Sequence, residues 1–229
     1  MEKLPNIPPY EILEELGRGS TGVVFKAREK QIGCIVALKT IFPKAGSDWT
    51  TQSQRFMREA QAMAACNHPN IVQIYAVGCQ DDQPYIVREL VEGRTVRAEL
   101  EKELFTDRQA SKMVEVLARP IHYMHSRGLI HRNLTLENVL VSTDGTVKLI
   151  GFGMSRAIDG ISPVTVATDI QALGTMLFVL MTKKHWYPEG LSLLPGELAR
   201  ICMKACSVEP ENQYHSAMEL AEDLRRYLR

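Results

Sequence analysis

Gly17-Arg18-Gly19-Ser20-Thr21-Gly22-Val23-Val24 lies between two segments of strand character, Tyr10 to Leu16 and Gly22 to Arg28. That setting predicts a glycine-rich hairpin rather than the strand-to-helix turn of a dinucleotide fingerprint. Without Cβ atoms its backbone can come close to a phosphate, although the pattern alone fits a plain flexible hairpin equally well. Outward from it, Cys34 to Ile41 continues a meander. In Val36-Ala37-Leu38-Lys39 the two-residue period places Ala37 and Lys39 on one face. A helix follows over Gln54 to Ala65, with Phe56, Ala60, Met63 and Ala64 on its inner side and His68-Pro69 as its stop. Glu59 sits beside that apolar stripe, where an unpaired carboxylate is costly, so an inward-facing cation is expected, with Lys39 the obvious candidate. Ile71 to Gly78 and Gln83 to Leu90 resume the strands.

From about Glu92 the period becomes helical. Met113, Leu117, Ile121 and Met124 form a stripe ending at Gly128, and Pro120 is expected to kink it. Val139 to Ile150 reads as a hairpin with a type I′ turn at Asp144-Gly145. Ile170, Leu173, Gly174, Leu177, Leu180 and Met181 mark a strongly apolar helix. Ser216-Ala217-Met218-Glu219 opens the last helix as a capping box.

The 229 residues carry 27 Lys plus Arg against 27 Asp plus Glu, a formal net charge of zero. No global field therefore draws the chain to nucleic acid or anionic lipid. No apolar run reaches the 18 or so residues of a membrane span, and the start lacks a signal peptide's pattern, so a cytoplasmic location without membrane insertion is expected. The five cysteines, an odd number without zinc-knuckle spacing, are expected to be buried thiols.

Read as an ordered set, these segments resemble the eukaryotic-type protein kinase family, and in particular bacterial Ser/Thr kinases, over nearly the whole chain. The carriers are GRGSTGVV at 17 to 24, VALK ending at Lys39, Glu59, HPNIV at 68 to 72, YIVRELVEG at 85 to 93, IHRNLTLENVL at 130 to 140, GFG at 151 to 153, DIQAL at 169 to 173 and the terminal PENQYHSAMELAEDLRRYL. The resemblance implies one α+β bilobal domain over 1–229. Its N-lobe, about 1–90, would be a small antiparallel sheet with one main helix, and its C-lobe, about 91–229, mainly helical. Candidate nucleotide contacts are Gly17, Gly19 and Gly22 in the hairpin, Val24, Ala37 and Leu140 around adenine, Lys39 with Glu59, Arg88 and Glu89 at the hinge, and Asn138.

The catalytic half departs from the family. Where the family carries His-Arg-Asp, then Lys, then Asn, this chain has His131-Arg132-Asn133, Thr135 and Asn138, and Gly151 opens the segment that begins with an acid in the family. An amide at Asn133 is a negligible base at pH 7, Gly151 offers a metal no ligand, and Thr135 replaces a cation. Asp159, in the shortened segment, is an example of a residue that could stand in as a metal ligand. His131 is implied to be a packed spine residue with Phe152, Met63 and Ile74, anchored by Asp169. His122 and His125 are expected to be surface or packed histidines.

The activation segment is also short. Only 15 residues separate Gly153 from Asp169, with no Ala-Pro-Glu, and Gln213 stands where the family's partner arginine would be. Between Met181 and Leu198 there is little room for the helix that follows the apolar one.

Together these changes imply a pseudokinase needing no cofactor and working through protein partners, as a scaffold or allosteric regulator. The alternatives are a nucleotide sensor that binds ATP weakly without Mg²⁺, and a kinase with rearranged chemistry. Arg88, at the gatekeeper position, is expected to compete with Lys39 for Glu59. A continuation beyond Arg229 is also expected, because the terminal arginines end on a helix without a stop signal.

Overall fold

The structure is a computed structural model, and it describes residues 5–19, 22–43, 46, 48–151 and 165–229. The chain divides into two compact units, Met1–Glu92 and Gly93–Arg229, close to the expected lobes.

The first unit is an antiparallel sheet in the order β1-β2-β3-β5-β4, formed by β1 Tyr10–Gly19, β2 Gly22–Glu29, β3 Ile35–Ile41, β4 Ile74–Gln80 and β5 Gln83–Glu89. Opposed residues share a face. Val24 pairs with Lys39, Ala37 with Arg88, and Lys39 with Ile86, so these five line one side. Phe25, Leu38 and Val87 line the other, where they join Ile7, Val23, Ala27 and Val36 in a closed apolar core.

Helix α1, Trp49–Ala64, packs on β4 and β5 and buries Phe56, Ala60 and Met63. It starts five residues before the expected Gln54. Asp48 caps it, its carboxylate accepting from the Thr51 N–H at 2.8 Å, so a cap rather than apolar periodicity sets the start. The Trp49 indole N–H donates to the Asp82 carbonyl at 3.2 Å, tying the first residue of α1 to the β4–β5 turn. In that turn Asp81 and Asp82 both have positive φ.

The second unit contains a small sheet, β6 Gly93–Thr95, β7 Val139–Ser142 and β8 Val147–Leu149, with helices α2 Val96–Lys102, α3 Asp107–His125, α4 Val166–Thr182, α5 Gly196–Ala205 and α6 Ala217–Tyr227. Helix α3 runs through Pro120 as one continuous element, and its buried stripe includes Ala110, Val114, Leu117, Ile121 and Met124, with Val114 rather than Met113 in the core. The β7–β8 turn is not type I′, because only Gly145 has positive φ. The Gly145 N–H closes on the Ser142 carbonyl at 2.9 Å, and the Ser142 N–H on the Thr146 carbonyl, which adds a residue beyond the tight two-residue loop.

Between α4 and α5 the described chain forms only a 3-10 turn, Pro188–Leu193, so the expected lack of room there is met. Phe178 fills the space, with Trp186 and Tyr187 edge-on at 5.3 and 5.6 Å. The capping box of α6 is half made. Ser216 accepts from the Glu219 N–H, while the Glu219 carboxylate takes the His215 N–H one residue too early. The cysteine expectation also needs correcting: Cys66, Cys202 and Cys206 are buried, whereas Cys34 and Cys79 are exposed. Among the described residues no helix is long and apolar enough to cross a membrane.

Candidate functional site

In the first unit, sheet register brings together most of the residues singled out from sequence. Val24, Ala37, Lys39 and Arg88 share the face opposite the closed core. The three glycines of the hairpin differ in what they do. A Cβ at Gly22 would overlap the Thr40 carbonyl oxygen and lie 2.8 Å from Ile41 Cα, so Gly22 is required by strand packing. Gly17 and Gly19 face open space. Ser20 and Thr21 at the tip lie outside the described residues. Glu89 is on the other face, opposite Val36, and its carboxylate accepts from the Gln73 N–H at 3.3 Å.

The expected contest between Lys39 and Arg88 for Glu59 is not the arrangement found. Glu59 pairs with Arg55, one helical turn earlier on α1, at 2.9 Å between Arg55 Nε and Glu59 Oε1. The reason is local: residues four apart on a helix are neighbours, and Arg55 reaches the carboxylate without leaving its own element. Arg88 does not slip to solvent. Its Nε is buried without a hydrogen-bond partner, as is Glu59 Oε2. Burial pulls the Arg88 guanidinium down to about 10. Burial, and then the nearby Arg88 charge, pull Lys39 down to about 8.

In the second unit, Asp169 organises the loop at 131–138. Its carboxylate accepts from the backbone N–H of His131 at 2.8 Å and of Arg132 at 2.9 Å, and His125 Nε2 stands 2.9 Å from the same group. Burial raises the Asp169 pKa, but the bonds from His125, His131 and Arg132 outweigh it and hold it below its usual value. These bonds stabilise Arg132 in a left-handed conformation, φ 65°, that a non-glycine residue rarely takes. His125, expected to be a surface or packed histidine, is packed, and it is a partner of the anchor. Its position in the last turn of α3 gave no periodic signal. His131 is fully buried, and burial takes its pKa down to about 4, opposed by the Asp169 charge. A ring held neutral in this way suits a packing residue. Phe152, expected in the same stack, lies outside the described residues, as does Asp159.

The positions that depart from the family pattern are built tightly. Asn138 Nδ2 donates to the Asn133 backbone carbonyl at 2.8 Å, and the Ile150 N–H donates to the Asn138 carbonyl at 2.8 Å. Gly151 has φ 76°, and a Cβ built on it would overlap Asn138 Oδ1 and lie 2.5 Å from Asn138 Cγ. The Asn138 amide thus fills the room that a side chain at 151 would need. Thr135 precedes the 3-10 turn Leu136–Asn138, and Leu140 sits in β7 opposite Thr95 and Lys148.

A divalent metal finds a poor donor set here: Asn138 Nδ2 is committed to the Asn133 carbonyl, which leaves the neutral Oδ1 as its one ligand atom, and neither residue 133 nor residue 151 carries an acid. Among the described residues, no group of three or more His, Cys, Asp or Glu could hold a metal ion. Gln213, which stands for the family's arginine, is buried, with Nε2 directed at the backbone carbonyls of Ala205 at 3.0 Å, Ser207 at 3.3 Å and Ala167 at 3.4 Å. A neutral amide satisfies those oxygens without needing an acid.

Comparison with known proteins gives a consistent assignment. A family model described as the protein kinase domain matches residues 10–167. The chain is 32% identical to a probable serine/threonine-protein kinase PknB of Lactococcus lactis, over 94% of this chain and 41% of the relative. It is 29% identical to the serine/threonine-protein kinase PknB of Mycobacterium tuberculosis, over 95% of this chain and 42% of that protein. The chain thus spans about two fifths of the length of these curated relatives. The Lactococcus alignment extends over 260 positions although this chain has 229 residues, so the relative carries residues that this chain lacks. Among solved structures, the PknI kinase domain of Mycobacterium tuberculosis superposes with a TM-score of 0.84 at 22% identity, covering 97% of both chains.

Proposed function

The chain belongs to the protein kinase domain family, and on that footing we propose that it is a pseudokinase: a kinase fold without efficient phosphotransfer that acts by binding a protein partner, as a scaffold or allosteric regulator. The observation that carries this reading is the Asn138 side chain, bonded to the Asn133 carbonyl and lying over the bare Cα of Gly151. A metal ligand and a general base each contribute roughly a hundredfold to ten-thousandfold, and both are missing along with the cation that Thr135 replaces. What remains is a loop held rigidly by Asp169, which serves a fixed conformation rather than chemistry. The test is a phosphotransfer assay with radiolabelled ATP and Mg²⁺ or Mn²⁺, scored against N133A. Equal background is expected, and turnover of the unsubstituted chain well above that variant would overturn the reading.

A second reading, a nucleotide sensor without Mg²⁺, is favoured by one feature of the first unit. Gly17 and Gly19 leave their strand surface open, and Lys39 has no ion pair among the described residues. If it holds, ATP alone raises the melting midpoint and Lys39→Ala removes the rise.

A further inference from the structure

The sheet register of the first unit puts three cations on one face. Across β2, β3 and β5, Lys26, Ala37 and Arg88 stand in one row, and Val24, Lys39 and Ile86 in the next. Lys39 and Arg88 are therefore diagonal neighbours, about 7–8 Å apart, with only the Ala37 methyl group in the corner between them. Lys26 has a partner in Glu14 at 3.4 Å. Lys39 and Arg88, both half-buried, have no hydrogen-bond or ion-pair partner among the described residues. The acids of the same unit are held elsewhere. Glu11 pairs with Arg28 at 3.1 Å, Glu15 with Arg18 at 2.8 Å and Glu59 with Arg55 at 2.9 Å, while Glu89 lies on the opposite face. Burial alone shifts Arg88, to about 10, and burial followed by the Arg88 charge shifts Lys39, to about 8, so both stay protonated at pH 7. Two like charges partly out of water with no counter-charge are a costly arrangement, and an anion relieves it. A guanidinium offers a planar fork of donors and an ammonium a point charge, which together suit the oxygens of a phosphate. A dianion balances both cations, where a single carboxylate balances one.

We propose that Lys39 and Arg88 form a metal-free binding site for a compact dianion of the phosphate class, held over Ala37, where the family resemblance places adenine. The inference deepens the pseudokinase reading and rests on it, since it takes this sheet face as one that metal-bound nucleotide does not occupy. Arg88 is the residue that changes the ligand class: beside Ala37 it puts a charge where a nucleobase needs an apolar wall, and next to Lys39 it doubles the positive charge. Because the bound anion offsets the repulsion between the two side chains, it stabilises the folded first unit by linkage, and no nucleotide is needed for that effect.

The test is a calorimetric titration of the whole chain with inorganic phosphate at pH 7 and constant ionic strength. One phosphate per chain is expected. Lys39→Met and Arg88→Met should each weaken it at least about tenfold, since each removes a charge-assisted contact. Lys26→Met, which removes a cation already paired with Glu14, should change it by less than about threefold. Adenosine, which carries the base without a charge, should leave the melting midpoint unmoved. No saturable binding to the unsubstituted chain up to about 10 mM phosphate overturns the site without recourse to any variant. Equal weakening by all three substitutions also overturns it, because a diffuse basic surface would behave that way. A midpoint raised by adenosine overturns it in favour of an open base pocket and the nucleotide sensor. Phosphotransfer is followed in the same proteins: turnover there would sink the pseudokinase reading, while the anion site stands or falls on the titration.

Discussion

His125 Nε2 stands 2.9 Å from Asp169 Oδ2, the oxygen that also accepts the His131 backbone N–H, so one buried carboxylate joins the end of α3, the start of α4 and the loop between them. Asp169→Ala removes three acceptor contacts at a site only 1% exposed, and should cost about 3–5 kcal/mol in urea unfolding. His125→Ala should cost less, about 1–2 kcal/mol. Because the folded-state pKa of Asp169 is lowered, its contribution is present above the unfolded value near 4 and is lost as pH falls through the lower folded value. An effect of D169A that stayed below about 1 kcal/mol would show that the loop is held by something else.

His131 gives a separate acid sensitivity. Its pKa falls from 6.5 to about 4 on folding, so the folded state resists protonation and stability declines as pH drops from about 6.5 toward 4. The loss should be on the order of 2–3 kcal/mol by pH 4. In His131→Leu that part of the pH profile should be flat, as followed by denaturant midpoints at each pH.

The overlap at Gly151 predicts non-additivity. Gly151→Ala adds a Cβ against the Asn138 amide at a positive φ, and should cost about 2–3 kcal/mol. With Asn138→Ala already present, the added cost should fall by roughly 1 kcal/mol, as the overlap is gone and only backbone strain remains. For the same reason Asn133→Asp with Gly151→Asp should not yield efficient protein phosphorylation. Robust turnover by that double variant would mean that the Asn138 amide and the short segments matter less than argued.

Lys39 makes a prediction of unusual sign. Its pKa drops from 10.5 to about 8, so at pH 7 the folded chain holds an amine that it would rather have neutral. Lys39→Met should therefore stabilise the protein at pH 7, by about 1–3 kcal/mol, with the gain shrinking as pH rises from 8 toward 10.5. A chain destabilised by K39M at pH 7 would indicate that a counter-charge has already reached the amine.

Much of this was legible in the residues. The strand alternation in Val36 to Lys39 placed Ala37 and Lys39 on one face, and register added Val24 and Arg88. The start of α1 is not visible in apolar periodicity, because Thr50 and Thr51 carry none, and its signal is Asp48, three residues before the N–H it caps. The four-residue spacing of Arg55 and Glu59 encodes their pair on one helix face, while the apolar stripe beside Glu59 points equally to an inward cation, and local spacing alone does not choose between the two. The Asn138–Gly151 overlap and the His125–Asp169 contact join residues 13 and 44 positions apart, and no local period encodes either.

The two tryptophans of the chain fall one to each compact unit, Trp49 at the head of α1 and Trp186 against Phe178. Each indole is thus a built-in optical reporter of its own half. Replacing either by Phe leaves a protein whose emission follows the other half alone, so that coincident or separate loss of the two signals on heating reads directly whether the halves melt as one body or in turn.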